Sequence, residues 1–173
     1  MRMRRRDFIA LLGGAAAWPL AARAQQPKRV GVLMAGDASG PINQSNLASI
    51  IQGLRKLGWT DDQNLQIEVR WSAADPKFME AYATDLVGLF KPDVLLSDIG
   101  LPLESGYDLI QKIRSLPSES SRIPAVALTA FANEKDRQRA LDSGFQIHLA
   151  KPVEPRVLIQ AIDELVHRKE RRF

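Results

Sequence analysis

The chain has 173 residues, 45% of them hydrophobic and 25% charged, the composition of an ordinary globular chain of one domain plus a tail rather than of a disordered one. It contains no cysteine, which excludes a disulfide framework, a thiolate zinc site and a cysteine nucleophile. The net charge of +4 belongs to the ends: residues 1–29 carry +6 and residues 168–173 carry +3, leaving about −5 for residues 30–167, so no basic face for nucleic acid is expected on the body.

At the N-terminus, Arg2, Arg4, Arg5 and Arg6 precede an apolar stretch over residues 8–20, and Ala22-Arg23-Ala24 follows as a small-x-small site. A positive region, an apolar region and a cleavage site are the three parts of an export signal. The run Arg5-Arg6-Asp7-Phe8-Ile9 resembles the twin-arginine type. Residues 1–26 are therefore expected to form a signal segment, which points the chain toward the periplasm. No run of about 18 apolar residues occurs beyond it, so no membrane span is expected.

From residue 27 onward, short apolar runs alternate with helical periods. Val30-Gly31-Val32-Leu33-Met34 reads as a buried strand, and the stretch Ala35-Gly36-Asp37-Ala38-Ser39-Gly40-Pro41 as a turn. Leu47, Ile50, Ile51, Leu54 and Leu57 recur at helical spacing until Gly58 stops them. Leu65, Ile67 and Val69 alternate with polar residues as a second strand. Phe78, Tyr82, Leu86 and Leu89 mark one face of a second helix. Val94-Leu95-Leu96 is a third strand, and Leu109, Ile110 and Ile113 lie on a third helix. Ala125-Val126-Ala127-Leu128 is a fourth strand, followed by a polar helix over Glu134–Ser143. Ile147-His148-Leu149-Ala150 is a fifth strand, and Val157, Leu158, Ala161, Ile162 and Leu165 face one side of a last helix.

Five strand–helix units in regular alternation imply an α/β fold: parallel strands, right-handed crossovers and helices on both faces. The flavodoxin-like order 2-1-3-4-5 suits five such units, with ligands bound at the carboxyl ends of the strands. The residues just beyond those ends are Asp37, Asp98, Thr129 and Lys151. A carboxylate, a hydroxyl and an ammonium on one rim suit attack on a phosphoryl group, with the cation and hydroxyl binding the oxygens that carry developing charge. A divalent cation would offset the repulsion between aspartate and phosphoryl. No glycine-rich phosphate loop, metal-ligand spacing or Ser–His–Asp arrangement is found, so a conventional enzyme is not expected.

Residues 92–166 resemble the later part of a response-regulator receiver domain. The matching stretches are Pro92-Asp93-Val94-Leu95-Leu96-Ser97-Asp98-Ile99-Gly100-Leu101-Pro102, Ser105-Gly106-Tyr107, Ile123-Pro124-Ala125-Val126-Ala127-Leu128-Thr129-Ala130 and Leu149-Ala150-Lys151-Pro152. The resemblance implies that Asp98 is the phosphoacceptor and that the Thr129 hydroxyl turns toward the aspartyl phosphate. It implies that Lys151 pairs with a phosphoryl oxygen, aimed by a cis peptide to Pro152, and that His148 stands at the switch position. It also implies bound Mg2+, held by Asp98 and the main-chain carbonyl of Gly100, with Asp37 as the remaining candidate ligand. The implied partners are a histidine kinase or hybrid kinase, and a second copy docked through the fourth helix, fifth strand and fifth helix. A receiver of this kind works in the cytoplasm.

The other half departs from that pattern. A receiver presents two adjacent acidic residues after its first strand to hold the metal, whereas here Ala35 and Gly36 stand in those places and Asp37 follows one residue later. Residues 1–96 instead resemble the start of a periplasmic substrate-binding protein of an ABC importer. The supporting stretches are Arg29-Val30-Gly31-Val32-Leu33-Met34, Gly53-Leu54-Arg55-Lys56-Leu57-Gly58-Trp59, Ile67-Glu68-Val69-Arg70-Trp71 and Ala83-Thr84-Asp85-Leu86-Val87. The expected organisation is a signal segment (1–26), one receiver-like domain (27–167) joining a substrate-binding-like half (27–91) to a receiver-like half (92–167), and a basic tail (168–173). The leading expectation is a phosphoacceptor module impaired by loss of the acidic pair. The alternatives are a truncated solute-binding protein and an inactive fusion.

Overall fold

The computed structural model describes residues 27–56, 58–60, 63–71, 77–101 and 104–170. The signal segment expected over residues 1–26 and the last three residues of the basic tail lie outside them. Five strands, β1 (Lys28–Met34), β2 (Leu65–Trp71), β3 (Val94–Asp98), β4 (Ala125–Thr129) and β5 (Ile147–Ala150), form one parallel sheet in the order β2-β1-β3-β4-β5. The helices between and after them are α1 (Pro41–Lys56), α2 (Lys77–Asp85), α3 (Gly106–Ser115), α4 (Glu134–Ser143) and α5 (Pro155–Glu170). This is the flavodoxin-like arrangement expected from the alternation of strand and helix patterns.

Strand side chains alternate between the two faces of the sheet, and each face buries its own core. Leu33, Leu95, Ala125 and Ala127 pack with Met79, Leu86, Leu109, Ile110 and Ala140 under α2, α3 and α4. Val30, Val32, Leu96, Val126 and Leu128 pack with Leu54, Leu158, Ile162 and Leu165 under α1 and α5. The three central strands are buried and apolar over residues 30–34, 94–96 and 125–128, where neither face meets water, while β2 and β5 at the edges are mostly half-buried.

Local chemistry sets the helix ends. The Ser105 hydroxyl caps α3 by accepting the Asp108 N–H, and Asn133 caps α4 by accepting the Asp136 N–H at 2.9 Å. Gly144 ends α4 at φ 113°, a conformation that favours glycine. Arg114 then ties that end down, its Nη2 donating to the Gly144 carbonyl at 2.8 Å and its Nη1 to the Ser121 carbonyl at 2.9 Å. Helix α1 begins at Pro41, earlier than its apolar period suggests; proline suits the first helical turn, where its missing N–H has no partner to lose.

The second helix differs from its sequence pattern. After α2 the chain widens into a π turn over Leu86–Phe90, closed by the Lys91 N–H on the Leu86 carbonyl at 3.2 Å. The buried stripe is Met79, Ala83, Leu86 and Val87, while Tyr82 is exposed and Leu89 is 79% exposed. Tyr82 and Leu89, both expected on the inner face, lie outward, so the buried stripe is already offset ahead of the π turn, which covers only Leu86–Phe90.

The first and second halves of the chain are joined at backbone level. Strand β1 pairs with β3 from Val30 opposite Val94 to Leu33 opposite Ser97. The Asp93 carboxylate accepts the Arg29 N–H at 2.9 Å, and the Asp93 N–H donates to the Arg29 carbonyl at 2.7 Å.

Candidate functional site

Asp98 ends β3, Thr129 ends β4, and Lys151 follows Ala150 at the end of β5. Because the three strands are parallel neighbours, these residues come to one rim of the sheet. Asp98 and Thr129 are buried, 6% and 2% exposed. Lys151 reaches across with Nζ 2.6 Å from Asp98 Oδ2, its side chain one-third exposed and that of Asp98 9% exposed. At that distance, with little water on the acid, this is a charge-assisted hydrogen bond of the stronger kind. The peptide between Lys151 and Pro152 is cis.

The other oxygen of Asp98 is also occupied. Oδ1 accepts the Gly100 N–H at 3.0 Å, so Gly100 meets the acid through its amide. The loop beyond β3 folds back tightly: the Gly106 N–H donates to the Ile99 carbonyl at 2.9 Å, and a Cβ on Gly106 would lie 2.4 Å from the Asp98 carbonyl oxygen. Only glycine permits that approach. The motif Ser105-Gly106-Tyr107 marks this residue in the sequence, but its role as the floor beneath Asp98 emerges only in three dimensions.

Thr129 presents its hydroxyl oxygen to the Phe131 N–H at 3.1 Å, while Phe131 itself is 65% exposed. A backbone partner of this kind leaves no sequence signal. His148 lies on β5 opposite Ala127 of β4. Its Nε2 is, among the described residues, a buried side-chain nitrogen without a hydrogen-bond partner. His167 stands apart on α5, half exposed and 3.4 Å from Asp163.

Asp37 does not join the cluster by any described bond. Its Oδ1 accepts the backbone N–H of Ser39 at 2.7 Å and the Ser39 hydroxyl at 2.8 Å. Those bonds, the backbone one first, hold its carboxyl below the usual carboxylate range. Ala35 packs against the core under α2–α4, and Gly36 adopts φ 89°. No group of three or more His, Cys, Asp or Glu side chains placed to hold a metal occurs among the described residues. Mg2+ needs six oxygens in near-octahedral array. Most of those oxygens can be water, with one or two carboxylates fixing the ion; among the described residues Asp98 has both oxygens engaged by Lys151 and Gly100, and Asp37 is bonded to Ser39, so these residues do not fit a resident Mg2+. Among the described residues, no helix is long and apolar enough to cross a membrane.

The model of the response regulator receiver domain family matches residues 63–163. The uncharacterized 14.6 kDa protein in the sodA1 3′ region of Leptolyngbya boryana is 47% identical over 73 residues, 42% of this chain and 55% of that protein. Hybrid signal transduction histidine kinase D of Dictyostelium discoideum is 38% identical over 66 residues, 36% of this chain and 4% of the kinase. The chain thus spans about half the length of the first relative and a small part of the second. Among solved structures, the CheY-like receiver domain protein of Methanospirillum hungatei JF-1 shares the fold at TM-score 0.61 and 23% identity, over 85% of this chain and 99% of that one. The receiver domain of a sensor histidine kinase from Pseudomonas aeruginosa PAO1, described with a magnesium ion in its active site cleft, gives TM-score 0.55 at 27% identity over 79% of this chain and 97% of that one. A family match over more than half of the chain, on a sheet with the receiver's strand order, establishes that this chain belongs to the response regulator receiver family of two-component systems.

Proposed function

We propose that Asp98 accepts a phosphoryl group from the phosphohistidine of a histidine kinase or hybrid kinase. The observation that carries this reading is the 2.6 Å contact between Lys151 Nζ and the buried Asp98 carboxylate, at the strand rim shared with Thr129. An Asp98 oxygen attacks phosphorus, the P–N bond to the kinase imidazole breaks with its electron pair staying on nitrogen, and an acyl phosphate forms. Lys151 then follows the charge onto a phosphoryl oxygen, and the Thr129 hydroxyl, which accepts the Phe131 N–H in the unphosphorylated chain, turns to donate its O–H to another. Those shifts alter the packing around His148 and pass to the face of α4, β5 and α5, where a second copy of the chain docks. The chain is an acceptor of phosphoryl groups rather than a catalyst acting on a separate substrate. Relatives described as hybrid or probable histidine kinases support this choice of donor.

This reading places the working protein in the cytoplasm, with the kinase, and makes the export signal of residues 1–26 inefficient or vestigial. It also takes residues 27–167 as one domain of two ancestries. The substrate-binding-like half rests on stretches such as Gly53-Leu54-Arg55-Lys56-Leu57-Gly58-Trp59 and Ile67-Glu68-Val69-Arg70-Trp71, and residues 63–91 of it also fall within the receiver match.

Incubating the full chain with acetyl phosphate in magnesium chloride tests the proposal. The expected result is a mass gain of one phosphoryl group that is absent from Asp98→Ala. No gain, or a gain that survives Asp98→Ala, overturns it. Fractionation of cells making the full chain tests the location: recovery only in the periplasm contradicts the cytoplasmic assignment.

A further inference from the structure

The end of β1 lies beside the rim where Asp98 sits, and it brings no carboxylate to that acid. Ala35, half-buried against the core, carries no charge, and Gly36 turns the backbone through the left-handed region. Asp37 then closes its own turn: its carbonyl accepts the Gly40 N–H at 3.1 Å and Asn43 Nδ2 at 3.0 Å, while its carboxylate takes both donors of Ser39. Turning Asp37 toward Asp98 would break its two bonds to Ser39 and bring two like charges together. Placing an acid at residue 36 is also opposed, since a Cβ there would lie 2.5 Å from Asn43 Nδ2 at φ 89°.

Charge leads to the same conclusion. The Asp98 carboxylate and the Lys151 ammonium sit 2.6 Å apart and cancel, so a dication approaching the rim meets a neutral pair rather than an acidic cluster. Mg2+ gives up water reluctantly and binds where carboxylates or phosphates supply negative oxygens. We infer that this receiver has lost the resident divalent-cation site, and that Lys151 alone supplies the counter-charge of the unphosphorylated Asp98.

Manganese, whose free ion is counted directly by electron paramagnetic resonance, is the probe. With the full chain, wild type, Asp98→Ala and Asp37→Ala are expected to deplete free Mn2+ equally. Lys151→Met, which uncovers the charge of Asp98, is expected to bind Mn2+ more tightly than wild type. Ala35→Asp, which restores a second acid, is expected to bind it roughly tenfold more tightly or better, because ligand charge sets affinity at such sites. Saturable binding of one Mn2+ by wild type that Asp98→Ala or Asp37→Ala removes overturns the inference. So does a folded Ala35→Asp that binds no better than wild type. If Ala35→Asp does not fold by circular dichroism, wild type and Lys151→Met decide the matter. None of these readouts involves phosphoryl transfer, so the inference and the acceptor proposal stand or fall separately.

Discussion

Gly53 of α1 lies against Pro155 at the start of α5, so closely that a Cβ on Gly53 would come 2.2 Å from the Pro155 Cβ. The contact closes one face of the sheet with a helix from each half of the chain. Gly53→Val is expected to destabilise the protein by about 2 kcal/mol, because over-packing forces the two helices apart. Urea unfolding followed by tryptophan fluorescence reports on the first half through Trp59 and Trp71, and circular dichroism reports on all helices. If residues 27–167 form one cooperative unit, the two midpoints coincide in wild type and shift together in the variant. Separate transitions would show two units.

Removing Lys151 strands a carboxylate whose side chain is only 9% exposed. Lys151→Met is expected to cost about 1–2 kcal/mol, a figure reduced from that of fully buried pairs because the lysine is one-third exposed. In an Asp98→Asn background the same change is expected to cost about 0.5 kcal/mol or less, since no charge is left to strand. A double-mutant cycle in urea checks this, and equal costs in both backgrounds would deny the coupling.

Among the described residues the buried Nε2 of His148 has no hydrogen-bond partner, which is a burden on the folded state. His148→Phe keeps the ring and removes the orphaned nitrogen. It is expected to raise stability by about 0.5–1 kcal/mol, seen as a higher melting temperature. A fall would mean that the nitrogen is satisfied in solution.

Tyr107 is 6% exposed, with the Arg139 guanidinium 4.3 Å from its ring centre. Burial foremost, and then the Asp136 charge, push its phenol above the ordinary 10.0, against the opposing pull of Arg139. Because the folded state holds this proton more tightly than the unfolded state, the stabilising effect is complete below pH 10.0 and is lost as pH rises through the elevated value. Phenolate absorbance is expected to show one of the two tyrosines titrating late. In Tyr107→Phe that late component and its share of the alkaline loss of stability are expected to vanish.

Much of this architecture is legible from residue order. Helix α4 and strand β5 occupy the spans read from their patterns, Glu134–Ser143 and Ile147–Ala150, because alternation and the helical period are local properties of the chain. The site residues at 98, 129 and 151 are legible too, since in a parallel sheet the residues that follow successive strands share one rim. The π turn and the outward placement of Tyr82 and Leu89 are not legible, because four apolar residues at helical spacing are compatible with either winding and with more than one buried stripe.

Residue order alone therefore determined the class of fold, the sidedness of its cores and the chemical types gathered at the rim. These depend on periodicity, and periodicity needs no knowledge of distant contacts. Tertiary structure decided which Asp98 oxygen meets Lys151, that Gly100 approaches through its amide, and that Asp37 bonds to Ser39. Each of those outcomes is a competition among hydrogen-bond partners within ångströms, settled only when loops from separate strands close on one another.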